Sequence, residues 1–277
     1  MTCFRSRGAQ VALSLAALLT AGAALRAEQD KEEARQDQGL MNMRRSAAKY
    51  VLFSSDTSQR AFEFQKTAAL RFSHPVGGSK DGTLYLWTDH GRPQAIVKLY
   101  TFDNKSYSHA WLSLSESPFV AVRDGKVIWK PAEPGISLRE IRDAPQAAET
   151  APKRLRQMRT LSDRFSANYT ALDSDGKPFE LRILTQPLLR YETDEDYRAD
   201  GALFVFVQTT APVGLLLLES RQTPGGHRWH YAYASLTSGT VTARYGEQEV
   251  FSAQRGNVHR DPQQPYLLLH SLPVPEK

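Results

Sequence analysis

The chain has 277 residues, of which 41% are hydrophobic, 23% charged and 10% aromatic. That composition belongs to folded domains, excludes a disordered chain, and allows one large domain or two small ones. The formal charge of +5 falls to +2 without Arg5, Arg7 and Arg26, when 32 basic residues face 30 acidic ones. Such a balance supplies no concentrated basic face for nucleic acid.

Residues 1–27 read as a secretory signal peptide. Arg5 and Arg7 precede the apolar run from Val11 to Leu25, and the small residues Ala21, Ala23 and Ala24 lie near its end. Cleavage after Ala23, Ala24 or Ala27 fits these small residues, and an uncleaved anchor is the competing reading. The run is shorter than the roughly 20 residues of a membrane-spanning helix, and no later run is longer. The expectation is an exported chain, periplasmic or extracellular, with no transmembrane segment after processing. Cys3, the single cysteine, would leave with the leader, so disulfides, thiolate catalysis and Cys-ligated zinc are not expected.

Residues 28–39 form a polar lead-in. A first unit is expected over 40–132, a Pro/Ala-rich connector over 133–151, a second unit over 150–257 and a C-terminal tail over 258–277. The connector is marked by Pro131, Pro134, Pro145 and Pro152. The two units align at an offset of 119, where residues 70–100 share seven identities with 189–219 in 31 ungapped positions. Leu70-Arg71-Phe72 meets Leu189-Arg190-Tyr191, and Asp81-Gly82 meets Asp200-Gly201. With small shifts, Met43-Arg44 resembles Met158-Arg159, His109 and Trp111 meet His227 and Trp229, and Arg123 with Gly125 meets Arg244 with Gly246. An internal duplication follows as the expectation.

Each unit reads as a helix and then an antiparallel meander. Leu155, Met158, Leu161 and Phe165 recur at helical spacing, with Pro152 suited to the first turn. Strands are expected over 83–88, 95–101, 110–114, 119–122, 202–208, 214–219, 228–235 and 240–245. Four Asp-Gly pairs, at 81, 124, 175 and 200, are candidates for tight turns or strand starts. The runs 203–207 and 215–218 are apolar without alternation, so both sheet faces are covered there. The expected class is α+β, two related units packed together.

The stretches 70–100, 154–167 and 188–219 resemble a group of uncharacterised exported bacterial proteins. The resemblance implies export and the same two-part layout, and it carries no activity and no site residues.

Chemical motifs are sparse. His227 and His230 have the H-x-x-H spacing, but on a strand they point to opposite faces, so no metal site is expected. Ser46-Ala-Ala-Lys49 matches S-x-x-K without its companion motifs and reads as a solvated helix face. Asp173, Asp175 and the run Asp194, Glu195, Asp196 do not complete a calcium loop. No phosphate-binding or dinucleotide-binding loop and no nucleophile elbow occurs, so no cofactor is expected. His109 with Trp111, and His227 with Trp229, read as core. Trp87, Asp89, His90 and Arg92 occur in one unit only, against Phe206, Gln208, Thr209 and Ala211. An indole beside polar groups on a turn is the candidate ligand-binding site, suited to a sugar or a peptide. The expected function is a non-enzymatic binding or interaction module of the cell envelope, its partner an envelope polysaccharide or protein. The alternative is a secreted hydrolase with His, Asp or Glu gathered from distant positions.

Overall fold

The computed structural model describes residues 26, 28, 31, 34–74, 77–172, 175–193, 199–254 and 260–274. Residues 1–25 of the expected leader, with Cys3, lie outside these, as do Asp173, Asp194, Glu195 and Asp196. Two compact units are formed, Met1–Asn42 and Met43–Lys277. In the first, residues 34–42 are helical, and Gln38 Nε2 donates to Asn42 Oδ1 at 2.9 Å across one helical turn. Among the described residues no helix is long and apolar enough to cross a membrane.

The second unit opens with helical residues 43–48 (α1). Nine strands follow: β1 (Tyr50–Ser54), β2 (Glu63–Phe64), β3 (Leu70–His74), β4 (Ser79–Asp89), β5 (Arg92–Thr101), β6 (Ser106–Ser113), β7 (Phe119–Arg123), β8 (Lys126–Trp129) and β9 (Arg139–Glu140). After α2 (Ala151–Ser162) come β10 (Phe165–Thr170), β11 (Phe179–Ile183), β12 (Leu189–Glu192), β13 (Ala199–Gln208), β14 (Ala211–Thr223), β15 (Gly226–Ser235), β16 (Thr240–Tyr245), β17 (Gln248–Ala253) and β18 (Tyr266–Pro273).

The α+β expectation is wrong. Strands hold 53% of the residues and helices 14%, so the protein is mostly β. The helices are short covers, whereas strands run well past their β-rich centres, as β14 does for 13 residues. Nor are the halves a helix followed by a simple meander. The strand after each helix pairs with a strand from the far end of its half, β1 with β7 and β10 with β16, which makes the sheets curl. Residues 133–151, read as connector, include β9, which pairs with β15. Residues 258–277, read as a tail, include β18, which pairs with β6.

Strand order is β1-β7-β8 in one sheet and β18-β6-β5-β4-β2 in a second, with β3 also on β4. The third runs β17-β16-β10-β11-β13-β14-β15-β9, with β12 also on β13. One register recurs. β3 and β4 set Leu70 opposite Leu84 and Phe72 opposite Gly82; β12 and β13 set Leu189 opposite Leu203 and Tyr191 opposite Gly201, each 119 residues on. The spacing becomes 122 at the next strand, where Leu99 faces His109 and Leu218 faces Tyr231. It stays 122 for Ala121 opposite Trp129 and Ala243 opposite Phe251. His109 and Trp111 therefore correspond to Tyr231 and Tyr233, and the sequence match to His227 and Trp229 is out of step, because the β14–β15 hairpin is longer than the β5–β6 hairpin.

The apolar runs without alternation are explained by packing on both faces. Leu84, Leu86, Ile96 and Leu112 meet Leu203, Val205, Leu215 and Leu217 between the two meanders. The alternate residues turn the other way. Tyr85, Trp87, Val97 and Trp111 pack with Met43 and Trp129, and Phe204, Phe206, Leu216 and Leu218 pack with Met158 and Phe165. Burial of each such leucine or phenylalanine contributes about 1.5–3 kcal/mol.

Two of the four Asp-Gly pairs are not turns. Gly82 and Gly201 lie inside strands, where an added Cβ would stand 2.3 Å from the ring of Phe72 or Tyr191. Their aspartates pair with the arginine beside that aromatic: Arg71 Nε donates to Asp81 Oδ1 at 3.0 Å, and Arg190 reaches Asp200. The repeated Leu-Arg-aromatic and Asp-Gly motifs are thus a ring laid on a glycine and an ion pair beside it. Gly201→Ala is expected to cost about 1–3 kcal/mol, because the Tyr191 ring is held by its hydroxyl and cannot swing aside. Urea unfolding reads this directly, and an unchanged midpoint would show that the ring moves freely.

Candidate functional site

The four residues singled out by sequence do not share one surface. Trp87 is 1% exposed and packs 4.9 Å from both Trp111 and Phe64, within the first curl. Asp89 accepts from Arg60 Nη2 at 2.7 Å. His90 sits in the β4–β5 turn at φ 48°, followed by Gly91 at φ 80°, which is the backbone a two-residue hairpin turn requires. Arg92 is buried and turns away from Trp87, toward the other meander.

There it meets Glu219, which is 0% exposed. Arg92 Nε donates to Glu219 Oε1 at 2.6 Å, the Tyr191 hydroxyl donates to the same oxygen at 2.6 Å, and Arg221 Nε donates to Oε2 at 2.9 Å. Arg92 Nη2 also approaches Glu116 Oε2 at 3.2 Å, without hydrogen-bond alignment. Burial alone would raise the Glu219 pKa, but Arg92 and Arg221 outweigh it and hold the carboxyl below its usual value. Burial, then Glu219, raises the Tyr191 pKa. The group is a buried ion cluster, and it joins the two meanders. In the first half the positions of Tyr191 and Glu219 are taken by Phe72 and Tyr100. Lys98 Nζ lies 5.6 Å from each of those ring centres and donates to Pro212 O at 2.8 Å.

Ser46 and His109 make a second cluster, 3.2 Å apart from Oγ to Nε2. The distance suits a nucleophile and its base, but the protons run the wrong way. Arg123 Nη1 donates to the Tyr50 oxygen at 2.7 Å, which leaves the Tyr50 hydroxyl proton for His109 Nδ1, also at 2.7 Å. The imidazole proton then stands on Nε2, facing Ser46. Burial, then Arg123, pushes the His109 pKa down to about 3, so the ring is neutral. Ser46 of the S-x-x-K motif is buried core, while Lys49 is exposed.

An open site lies elsewhere, at the seam of the second curl. Pro134, Gly135, Ile136, Ser137, Arg139, Tyr231, Tyr233, Val250 and Phe251 line a pocket of about 430 Å³. Here the two ends of the nine-stranded sheet, β9 and β17, approach each other. Among the described residues one hydrogen bond crosses this seam, from Arg139 Nη1 to Val250 O at 3.2 Å. The first seam is shut. Lys130 N donates to Pro262 O and Ala132 N to Gln263 O, both at 2.8 Å, and Trp129 Nε1 donates to Gln264 O at 2.8 Å. Corresponding positions explain the difference. Trp111 and Trp129 fill the first curl where Tyr233 and Phe251 stand in the second, and two residues back from the Arg139–Leu269 match, Leu267 gives way to Ser137. Three smaller side chains leave a space lined by aromatic rings, with Ser137 and Arg139 as polar groups. Tyr233 lies over Gly214, and among the described residues its buried hydroxyl has no hydrogen-bond partner.

None of these pocket residues stands out in sequence. The signal was the change from tryptophan to tyrosine and phenylalanine, legible only at the offset of 122, not at 119. His227 and His230 lie on a strand as expected, and among the described residues no three His, Cys, Asp or Glu side chains gather as a metal site.

The neutral, buried His109 makes a pH prediction. Below about 6.5 the unfolded chain takes up a proton that the folded site refuses. Its stabilising contribution is complete above that pH and is lost as pH falls toward about 3. His109→Gln keeps an amide for Tyr50 and Ser46 but cannot titrate. Its unfolding free energy should fall less steeply than that of the wild type between these limits, by up to about 1.4 kcal/mol per pH unit; parallel curves would contradict a neutral imidazole.

No protein-family model matches the chain, and neither a curated protein nor a solved structure matches it.

Proposed function

We propose that this chain is an exported binding module whose ligand places an apolar or aromatic group in the seam pocket of the second curl. One observation carries the reading. The same scaffold position is filled by Trp111, Trp129 and Leu267 in the first half and opened by Tyr233, Phe251 and Ser137 in the second. An aromatic-lined cleft with the Arg139 cation and the hydroxyl-bearing Ser137, Tyr231 and Tyr233 suits recognition, since rings bind apolar faces and the polar groups orient them. The halves are taken as copies of one duplicated segment. Support comes from the strand registers repeated at 115, 119 and 122 residues, as in Tyr50 opposite Arg123 and Phe165 opposite Tyr245. A duplicated scaffold with one interior closed and the other opened is an economical route to a binding site on a stable partner.

Export rests on Arg5, Arg7 and the apolar run to Leu25, and on the resemblance of 70–100, 154–167 and 188–219 to exported bacterial proteins. Expression of the full chain in a bacterium should give a shortened product outside the cytoplasm, beginning at Ala24, Leu25 or Glu28. Mass spectrometry reads the new terminus, and a full-length cytoplasmic product would refute the leader.

N-acetyl-tryptophanamide serves as the probe of the pocket. It should bind saturably in calorimetry, and the double variant Ser137→Leu with Phe251→Trp, which restores two first-half side chains, should abolish the binding while unfolding no earlier than the wild type. Undiminished binding to that variant would move the site elsewhere.

A further inference from the structure

We infer that the seam ligand is an extended peptide that adds as a strand to the outer edge of β17 and drops one bulky side chain into the pocket. The inference rests on the pocket reading above and specifies its ligand. Among the described residues β17 pairs on one side, with β16. Its register on β16 repeats that of β8 on β7, including the irregularity that sets Val250 out of step as it does Ile128. In the first half, the N–H groups of Lys130 and Ala132, which follow β8, point outward and donate to Pro262 O and Gln263 O. The groups at the corresponding places are the N–H of Ser252 and Gln254. Among the described residues neither donates to a backbone acceptor outside the β16–β17 ladder, and the Val250 carbonyl accepts from the Arg139 side chain.

An edge strand with unpaired donors and acceptors is a template for another strand. In the first half the molecule itself supplies the backbone carbonyls that satisfy these outward donors. Residues 261–264 form a turn across the seam, closed by Gln264 N donating to Asp261 O at 3.1 Å, and lead into β18, where Leu267 packs in the core beside Trp111 and Trp129. In an added strand, side chains alternate between the two faces, so one residue faces the pocket while its neighbours face solvent. The cavity of about 430 Å³ takes a large aromatic or aliphatic group. Sugars lack the row of alternating donors and acceptors that this edge would satisfy.

The test compares two probes on the mature protein. N-acetyl-tryptophanamide offers the side chain alone. The pentapeptide acetyl-Thr-Gln-Trp-Gln-Thr-amide offers the same side chain on an extended backbone and should bind at least tenfold more tightly. Methylation of the nitrogens of its central three residues should remove that gain. Ser252→Pro deletes an outward donor without removing a bond to β16, so it should reduce pentapeptide binding to the level of the amide and leave the amide unaffected. Equal affinity of the two probes, or a gain that survives both methylation and Ser252→Pro, overturns strand addition while the pocket reading stands. Failure of both probes to bind wild-type protein overturns both. Chitotriose displacing the pentapeptide from the seam would overturn the inference in favour of a sugar. A dimer that the pentapeptide dissociates would overturn it in favour of a second copy of the chain.

Discussion

One buried carboxylate ties the two meanders together. Glu219 projects from β14 into the space between the sheets, and its two oxygens accept from Arg92 on β5, from Tyr191 on β12 and from Arg221 on its own strand. A carboxylate wholly removed from water is tolerable only with such partners, and loss of one partner from a pair of this kind costs about 3–5 kcal/mol. The cluster also fixes geometry. The Tyr191 ring is held flat on Gly201 because its hydroxyl is anchored, so the strand beneath it must remain a glycine. Position, more than net stability, is what this network confers, since hydrophobic residues of similar volume can stabilise an interface as well as a buried ion pair.

The two halves carry different interiors on strand registers that recur at 115, 119 and 122 residues. Phe72 lies on Gly82 as Tyr191 lies on Gly201, and Arg71 holds Asp81 as Arg190 holds Asp200. Away from this shared device the side chains diverge. The first curl is packed with Trp87, Trp111 and Trp129 and carries the sealed polar chain Arg123–Tyr50–His109–Ser46. At the corresponding positions the second has Tyr245, Phe165, Tyr231 and Leu161, with Tyr231 stacked 6.5 Å from Tyr245, and a cleft at its edge. The closed half supports the open one across the central core of Leu84, Leu86, Leu203 and Leu217.

Much of this was legible locally. The β-rich runs fall on β4 to β7 and β13 to β16, with Leu114 one residue past β6, and the helix over 151–162 begins with a proline in its first turn as its sequence suggests, although Phe165, read with its apolar stripe, opens β10. Asp124-Gly125 turns at φ 50° and 76°. The fold class was not legible, because an amphipathic dozen residues signal a helix clearly and say nothing of how much sheet surrounds it. Arg92 was noticed as a residue of one half only, yet a chemical oddity on a hairpin turn can face inward as readily as outward. Ser137, Tyr233 and Phe251 carry no motif, and a three-residue difference in hairpin length displaced the alignment that would have exposed them.

Local sequence therefore determined strand positions, the tight turns, the covering of both sheet faces and the recurrence of the Leu-Arg-aromatic and Asp-Gly motifs, because each depends on residues near one another in the chain. The tertiary structure alone decided that β1 returns to β7 and β10 to β16, that β18 joins the first half, and that Arg92 meets Glu219 from 127 residues away. It also decided where a cavity stays open. A void is set by the summed volumes of side chains that converge from distant strands, and no single stretch of sequence contains that sum.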